Sequence, residues 1–105
     1  MITKNSKIKK TLYPICVYKS PILFKKTSNG KTMVWNCWVE ANKDDTRALV
    51  IQYGYTNGIL SILSKPILKG TNEGKINYCT PHEQAMSEAK SLWNRKIKEG
   101  YSYLI

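Results

Sequence analysis

The side chains that could do chemistry in this sequence are mainly lysines, and their placement indicates electrostatic binding of an anion. Seventeen Lys and Arg residues outnumber seven Asp and Glu residues, which gives a net charge of +10. Residues 1–31 contain eight lysines and no acid, since the first carboxylate is that of Glu40. A field of this sign attracts polyanions, and each phosphate that is neutralised releases counterions. Nucleic acid is therefore the expected partner. The alternative is a lysine-rich composition that serves solubility or reflects an AT-rich genome.

A glycine-rich loop over residues 69–77 carries the most specific set of phosphate-binding groups. Its two glycines let the backbone approach a ligand, while Lys69 and Lys75 supply charge. Asn72 and Asn77 add hydrogen-bond donors for phosphate oxygens. The loop leads to the N-terminus of a predicted helix, where free N–H groups favour anions. Two interpretations stay open: a phosphate-binding segment, or a connector built from turn residues.

Catalytic and metal-binding chemistry has little support in these residues. His82 is the only histidine and lacks partners at ligand or general-base spacing, so a surface position is expected. Cys16, Cys37 and Cys79 have no C-x-x-C spacing, which favours three buried or half-buried thiols over a disulfide or a zinc site. There is no nucleophile–base signature, no carboxylate pair at a meaningful spacing and no Lys-x-Asp-Gly nucleotidyl-transfer motif. We therefore predict a protein that is not an enzyme, with no catalytic residues, no metal and no cofactor.

No segment of the sequence predicts a membrane anchor or a secretory leader. The longest apolar runs, such as residues 48–51, are far shorter than the ~20 residues that cross a bilayer. The N-terminal lysines have no apolar h-region beside them. An intracellular protein of the nucleus or cytoplasm, without a membrane partner, is the resulting expectation.

Alternating residues between turn signals predict a meander of antiparallel strands. Asn29-Gly30 and Asn57-Gly58 each lie between β-favouring runs, and Asn-Gly favours type I′ hairpin turns. Trp35 falls on a face that alternates regularly, so it is predicted to be core. Trp38 lies on the opposite face, either exposed or covered by another layer. The predicted strands are 22–26, 32–39, 47–53 and 59–64, and residues 65–78 are predicted to be a loop with at most a short strand at 67–68.

One helix follows the loop. Thr80 and Glu83 form a capping-box pattern around Pro81, and apolar residues at helical spacing continue through Trp93, another predicted core residue. Gly100 can close the helix, and residues 101–105 are apolar enough to return to the sheet. The predicted fold class is therefore α+β: an antiparallel sheet of about four to five strands with one long C-terminal helix packed across it.

The ordered set of these features resembles the WGR domain, and more closely the WGR-like module at the N-terminus of some viral and phage ATP-dependent DNA ligases. The resemblance covers about residues 21–101. It divides the chain into a basic N-terminal arm with a first extended segment, residues 1–20, and a WGR-like domain, residues 21–105. The matching residues are Leu23 to Lys31 with Trp35, Tyr53-Gly54, Asn57-Gly58, Gly70 to Asn77, Thr80, Glu83-Gln84-Ala85, Glu88-Ala89, Trp93, Lys96 and Gly100-Tyr101.

The resemblance implies DNA binding, because WGR domains bind DNA ends or breaks. It also implies a role in DNA repair or DNA replication, and a viral or phage origin among other sources. The Trp-Gly-Arg triad stands here as Tyr53-Gly54-Tyr55. The arginine that reaches toward DNA in the relatives is thus replaced by Tyr55, which can stack or hydrogen-bond.

We therefore expect a non-catalytic module that contacts the phosphate backbone of duplex, broken or nicked DNA, with DNA favoured over RNA. It would act alone or with a larger DNA-processing enzyme such as a ligase. The alternative is a protein–protein interaction adaptor with a basic surface. The predicted nucleic-acid-binding residues are Lys4, Lys7, Lys9, Lys10, Lys25, Lys26, Lys31, Trp38, Tyr55, Lys69, Asn72, Lys75 and Asn77.

Overall fold

The computed structural model describes residues 12–70 and 79–103. In this part of the chain five strands form one open antiparallel sheet, and one helix packs against one face of it. The predicted α+β class is thereby confirmed. The elements are β1 Ile15–Lys19, β2 Leu23–Lys26, β3 Thr32–Ala41, β4 Arg47–Tyr55, β5 Ser61–Ile67 and α1 Pro81–Lys98.

Strand β3 is the centre of the sheet because it pairs with three other strands. Strands β1 and β2 lie end to end along one side of it: Ile15 is opposite Ala41, and Lys26 is opposite Thr32. On the other side β4 pairs with the full length of β3, and β5 pairs with β4. The sheet is therefore four strand positions wide, with β1 and β2 acting as two halves of one edge strand and β5 as the opposite edge.

The interruption between β1 and β2 falls opposite Cys37, and Ser20 satisfies the backbone there. The Ser20 N–H donates to the Cys37 carbonyl at 2.8 Å. The Cys37 N–H donates in turn to Ser20 Oγ at 3.0 Å. A buried backbone group without a partner is costly, so the hydroxyl of the buried Ser20 supplies the acceptor that a regular edge strand would provide with a backbone carbonyl.

The core lies between the sheet and α1. Alternate β3 residues Trp35, Cys37 and Val39 point to the helix side, as their spacing predicts. Small residues at the helix contact, Ala85 and Ala89, are fully buried, which lets the helix approach the sheet closely. Trp93 is only partly buried against this core, and its indole N–H donates to the Pro21 carbonyl at 3.1 Å.

Both ends of α1 are fixed by the groups that the sequence indicated. The Glu83 N–H donates to Thr80 Oγ1, and the Glu83 carboxylate accepts from the Thr80 N–H, which completes the predicted capping box. After Gly100 the chain returns to the sheet: Tyr101 is buried, and Ser102 exchanges two backbone hydrogen bonds of 2.8 Å with Phe24. The helix is thereby tied to β2.

Two local predictions are wrong. Type I′ turns need positive φ at both central residues, but in the first hairpin only Gly30 has it, with φ 84°. Thr27 N–H donates to the Lys31 carbonyl, which leaves three residues in the loop and gives a type I turn followed by the left-handed glycine. In the second hairpin neither Asn57 nor Gly58 has positive φ.

The second error concerns β5, which continues to Ile67 through the region predicted to be a loop. Pro66 lies within the strand, opposite Ala48. Proline is tolerated there because β5 is at the edge of the described sheet, where a missing N–H can face away from the ladder.

We expect Ser20→Ala to lower the free energy of unfolding by about 1–3 kcal/mol, because the Cys37 N–H would lose its acceptor in a buried position. Chemical denaturation measures this directly. Ser61→Ala, at an exposed β5 position, is the matched control and should change stability by less than ~0.5 kcal/mol. Equal effects of the two substitutions would contradict the role of Ser20.

We expect Trp35→Ala to destabilise the protein by about 3–5 kcal/mol, since Trp35 is buried between the sheet and the helix. Trp93→Ala should cost less, because Trp93 is only partly buried. Thermal melts followed by circular dichroism test the order of the two effects. A Trp35→Ala variant that melts like the wild type would show that this side chain does not support the core.

Candidate nucleic-acid interface

Two hairpin turns lie side by side at one end of the sheet. The arrangement follows from the register, since β3 begins where β4 ends, and the Thr56 N–H donates to the Thr32 carbonyl at 2.9 Å. An open cavity of about 340 Å³ lies between the turns. Its lining, which we name the paired-turn surface, consists of Gly30, Lys31, Thr32, Tyr55, Thr56, Asn57 and Gly58.

Two of the predicted binding residues meet on the paired-turn surface. Lys31 Nζ lies 5.5 Å from the centre of the Tyr55 ring, which is within the range of a cation–π contact. The Tyr55 side chain is 42% exposed. A positive charge and an accessible aromatic face are thus adjacent, and this pair can contact both a phosphate and a base.

Gly54, the middle residue of Tyr53-Gly54-Tyr55, allows the second turn to fold back against β4. Its φ is 152°. A Cβ added there would lie 3.0 Å from Leu60 Cδ2 and 3.1 Å from the Ile59 carbonyl oxygen. A side chain at this position would therefore crowd Leu60 and Ile59, in a backbone conformation that residues other than glycine rarely adopt.

Lys25 and Lys26 point to opposite faces of the sheet, as successive strand residues must. Lys25 Nζ donates to the Glu99 carbonyl at 2.8 Å and lies 5.6 Å from the centre of the Tyr101 ring. The Lys25 ammonium group thus lies at the C-terminus of α1, where a cation interacts favourably with the negative end of the helix dipole. Lys26 is exposed on the other face, opposite Thr32 in the register.

Trp38 lies on the sheet face away from α1 and is half-buried there. Its indole N–H donates to Glu40 Oε2 at 2.8 Å, and its register partner on β1 is Lys19. Sequence reasoning missed Lys19 as a neighbour of Trp38. The signal was hidden because the register between β1 and β3 shifts between Cys16 and Tyr18.

Lys69 is exposed at the other end of the sheet, just beyond β5. Gly70 lies against the residues that precede α1: a Cβ built on it would be 1.5 Å from the Cys79 carbonyl oxygen. Substitution of Gly70 therefore requires the chain to shift. The other predicted residues of this loop and of the N-terminal arm lie outside the described residues: Lys4, Lys7, Lys9, Lys10, Asn72, Lys75 and Asn77.

The predicted residues that are described do not form one site. Lys31 and Tyr55 lie at the paired turns, whereas Lys69 follows Ile67, which pairs with Arg47 at the start of β4. The nine residues of β4 separate these ends by roughly 27 Å at about 3.4 Å per residue. Trp38 lies between them on the face opposite the helix.

Few of the described cations are neutralised by carboxylates. Within residues 12–70 and 79–103, only Lys65 and Lys96 form ion pairs, with Glu88 and Glu99 respectively. Partial burial of Glu88 acts to raise its pKa, but the contacts with Lys65 and Gln84 outweigh this and hold the pKa below its usual value. The excess positive charge therefore remains available to an external anion.

His82 and the cysteines do not form a metal centre in the part of the chain that is described, where no group of three or more His, Cys, Asp and Glu residues is close enough to hold an ion. His82 Nδ1 accepts a hydrogen bond from Arg47 Nε at 3.2 Å. Cys16 is exposed, so the expectation of three buried or half-buried thiols is wrong for this residue. Its strand forms the edge of the sheet, where nothing described covers it.

Burial raises the pKa of the Cys37 thiol, and a hydrogen bond with Ser20 offsets this only in part. The thiol therefore stays protonated to higher pH than a free cysteine, and protein atoms surround it. Cys79 is half-buried.

No family model matches the chain, and no curated protein or solved structure matches it either. The one helix among the described residues that reaches 18 residues is too polar to cross a membrane.

Cysteine reactivity tests this arrangement. We expect a thiol-specific disulfide reagent at pH 8 to modify Cys16 at least about tenfold faster than Cys37, because only exposed thiolates react rapidly. Peptide mapping of partially modified protein gives the order of reaction. In a Cys16→Ser variant the fast phase should disappear. Rapid modification of Cys37 in folded protein would contradict its place in the core.

Proposed function

We propose that this chain is a non-catalytic, WGR-like nucleic-acid-binding module that contacts the phosphate backbone of duplex, nicked or broken DNA. In this proposal DNA is preferred to RNA. The module works alone or as an accessory part of a larger DNA-processing enzyme such as a ligase.

The observation that carries the proposal is the excess of cations that lack carboxylate partners. The chain has a net charge of +10, and the described part contains only two ion pairs. If these lysines served only to balance acids on the surface, more of them would be paired. Phosphate contacts supply most of the affinity for nucleic acid, and they require charge rather than a rigid pocket.

The paired-turn surface is the best-defined contact point. Tyr55 occupies the place of the arginine in the Trp-Gly-Arg triad, and Lys31 lies against its ring. The lysine thus returns a positive charge to this place, while the exposed ring offers a stacking surface, worth about 1–3 kcal/mol per base where bases are unpaired. Asn57 contributes an amide at the rim of the same cavity.

Lys26 and Lys19 place further positive charge along the edge formed by β1 and β2. Both are exposed, and both lie on the sheet face opposite α1, on either side of the break at Ser20. Lys25 has no part in this proposal, because its ammonium group is already bound to the end of the helix.

Fluorescence anisotropy with labelled duplex DNA, intact and nicked, tests the proposal. We expect binding at about 50 mM salt that weakens steeply as salt rises, with a slope of log affinity against log salt near −0.9 for each phosphate contacted. Lys26→Ala combined with Lys31→Ala should reduce the size of this slope by about two units, one for each lost contact.

The matched control removes the same charge elsewhere: Lys43→Ala combined with Lys90→Ala, at the β3–β4 turn and on the exposed side of α1. All four lysines are exposed, so both double variants should keep the wild-type melting temperature. Equal loss of affinity in the two variants would indicate diffuse attraction without a site. Absence of binding by the wild type at about 50 mM salt would remove the proposal itself.

A further inference from the structure

Strand β5 exposes apolar side chains on both of its faces. Ile62 and Leu63, which are neighbours in sequence, are 58% and 56% exposed. Ile59 before the strand and Leu68 after it are exposed to a larger extent. Single exposed apolar residues need no explanation, but a group along one edge strand is the kind of surface that binds a partner.

The outer edge of β5 has backbone groups that no described strand satisfies, since β5 pairs only with β4. The position of Pro66 shows which groups these are. Proline can occupy an antiparallel strand only where its nitrogen points away from the partner strand. Because inward and outward positions alternate, Ile62 and Ser64 also direct their N–H and C=O groups outward. The usable edge is therefore the first half of β5.

A groove runs beside this edge, between β5 and α1. The helix packs mainly over β3 and β4, and two cavities of about 350 and 390 Å³ remain on the β5 side. Both cavities are lined by Ile51, Leu92 and Arg95. On the strand side, Leu63 lines the first cavity and Lys65 lines the second. A strand added to β5 would place every second side chain over this groove.

The charge around the groove limits what can occupy it. Arg95 is exposed, lines both cavities and forms no ion pair within the described residues. Lys65 contacts Glu88 but keeps a 63% exposed side chain. A second copy of a chain with net charge +10 would be repelled, and carboxylates would be attracted.

We propose that the outer edge of β5 binds an extended peptide in which apolar residues alternate with acidic ones, by adding it to the sheet as a further strand. The peptide backbone pairs with Ile62 and Ser64. Its apolar side chains cover Leu63 and the groove, while its carboxylates reach Arg95 and Lys65. This is a protein-interaction function, separate from the proposed DNA contact and not dependent on it.

The test uses a fluorescein-labelled octapeptide of alternating valine and glutamate with the full-length chain. We expect saturable binding by anisotropy, with amide chemical-shift changes and slowed amide exchange at Ile62 and Ser64. Two matched probes define the mode of binding: an alternating valine–lysine octapeptide, and the valine–glutamate peptide with alternate backbone amides N-methylated. Both should bind at least about tenfold more weakly, which corresponds to ~1.4 kcal/mol.

Variants of the chain locate the site. Ser64→Pro removes one outward N–H and leaves the bonds to β4 in place, so affinity should fall roughly three- to tenfold. Arg95→Glu should weaken binding about two- to fivefold, as expected for one exposed charge, whereas Lys90→Glu on the outer side of α1 should not. Binding of DNA should survive Ser64→Pro unchanged, which separates this proposal from the preceding one.

Three results would overturn the proposal. The first is equal binding of the acidic, basic and N-methylated peptides. The second is a set of shifted amides that excludes β5 in the wild-type protein, a result that does not depend on any variant folding. The third is sedimentation as a dimer that Ser64→Pro dissociates, which would make a second copy of the chain the occupant of this edge.

Discussion

The need to satisfy the backbone of Cys37 determines how the rest of the sheet is built. Cys37 lies in the middle of β3, where a continuous edge strand would supply two ladder bonds. The edge strand is interrupted there: the Ser20 N–H makes one of these bonds, and Ser20 Oγ replaces the backbone carbonyl in the other. The Ser20 hydroxyl then donates to the Pro21 carbonyl at 3.2 Å, which also accepts the indole N–H of Trp93. One short chain of hydrogen bonds therefore connects the central strand, the broken edge strand and the helix.

Three polar contacts also join the helix and the residues after it to one edge of the sheet. Trp93 bonds to the break in the edge strand, Lys25 caps the end of α1, and Ser102 pairs with Phe24. All three contacts are with the β1–β2 edge. On the β5 side a polar contact with the helix is the exposed ion pair of Lys65 with Glu88, which contributes about 0–1 kcal/mol. The groove lies on this side, where that polar contact is weak.

The sequence predicted those elements whose signal is local. The capping box at Thr80 and the alternation around Trp35 depend on neighbours within a few residues, and both are found as expected. The course of β5 through Pro66 and the function of Ser20 were not predictable in this way. Each depends on which strand lies alongside: Pro66 is acceptable only at an edge, and Ser20 matters only because it faces Cys37.

The candidate site shows the same division. Exposure of Tyr55 follows from its place beside a turn, and its exposed side chain agrees with that expectation. The different roles of Lys25 and Lys26 could not be predicted from the sequence. The alternation of a strand shows that the two side chains lie on opposite faces of the sheet, but it does not show what covers each face. The end of the helix covers one face and leaves Lys26 exposed. Lys31 lies close to Tyr55 because the start of β3 is paired with the end of β4. This register was not predictable from either hairpin alone.

The two proposed ligands are both negative, so their sites must influence each other through the field of the chain. The paired-turn surface ends at Gly58, and the outward amides of β5 begin at Ile62, four residues further along. A fully extended chain of this length spans about 13 Å, so the separation is at most roughly that distance. The Debye length is about 8 Å at physiological ionic strength and about 30 Å at 0.01 M. Salt therefore weakens the repulsion between a bound phosphate and a bound carboxylate under physiological conditions. At low salt the same distance lies well inside the screening length, and there each ligand should weaken the binding of the other.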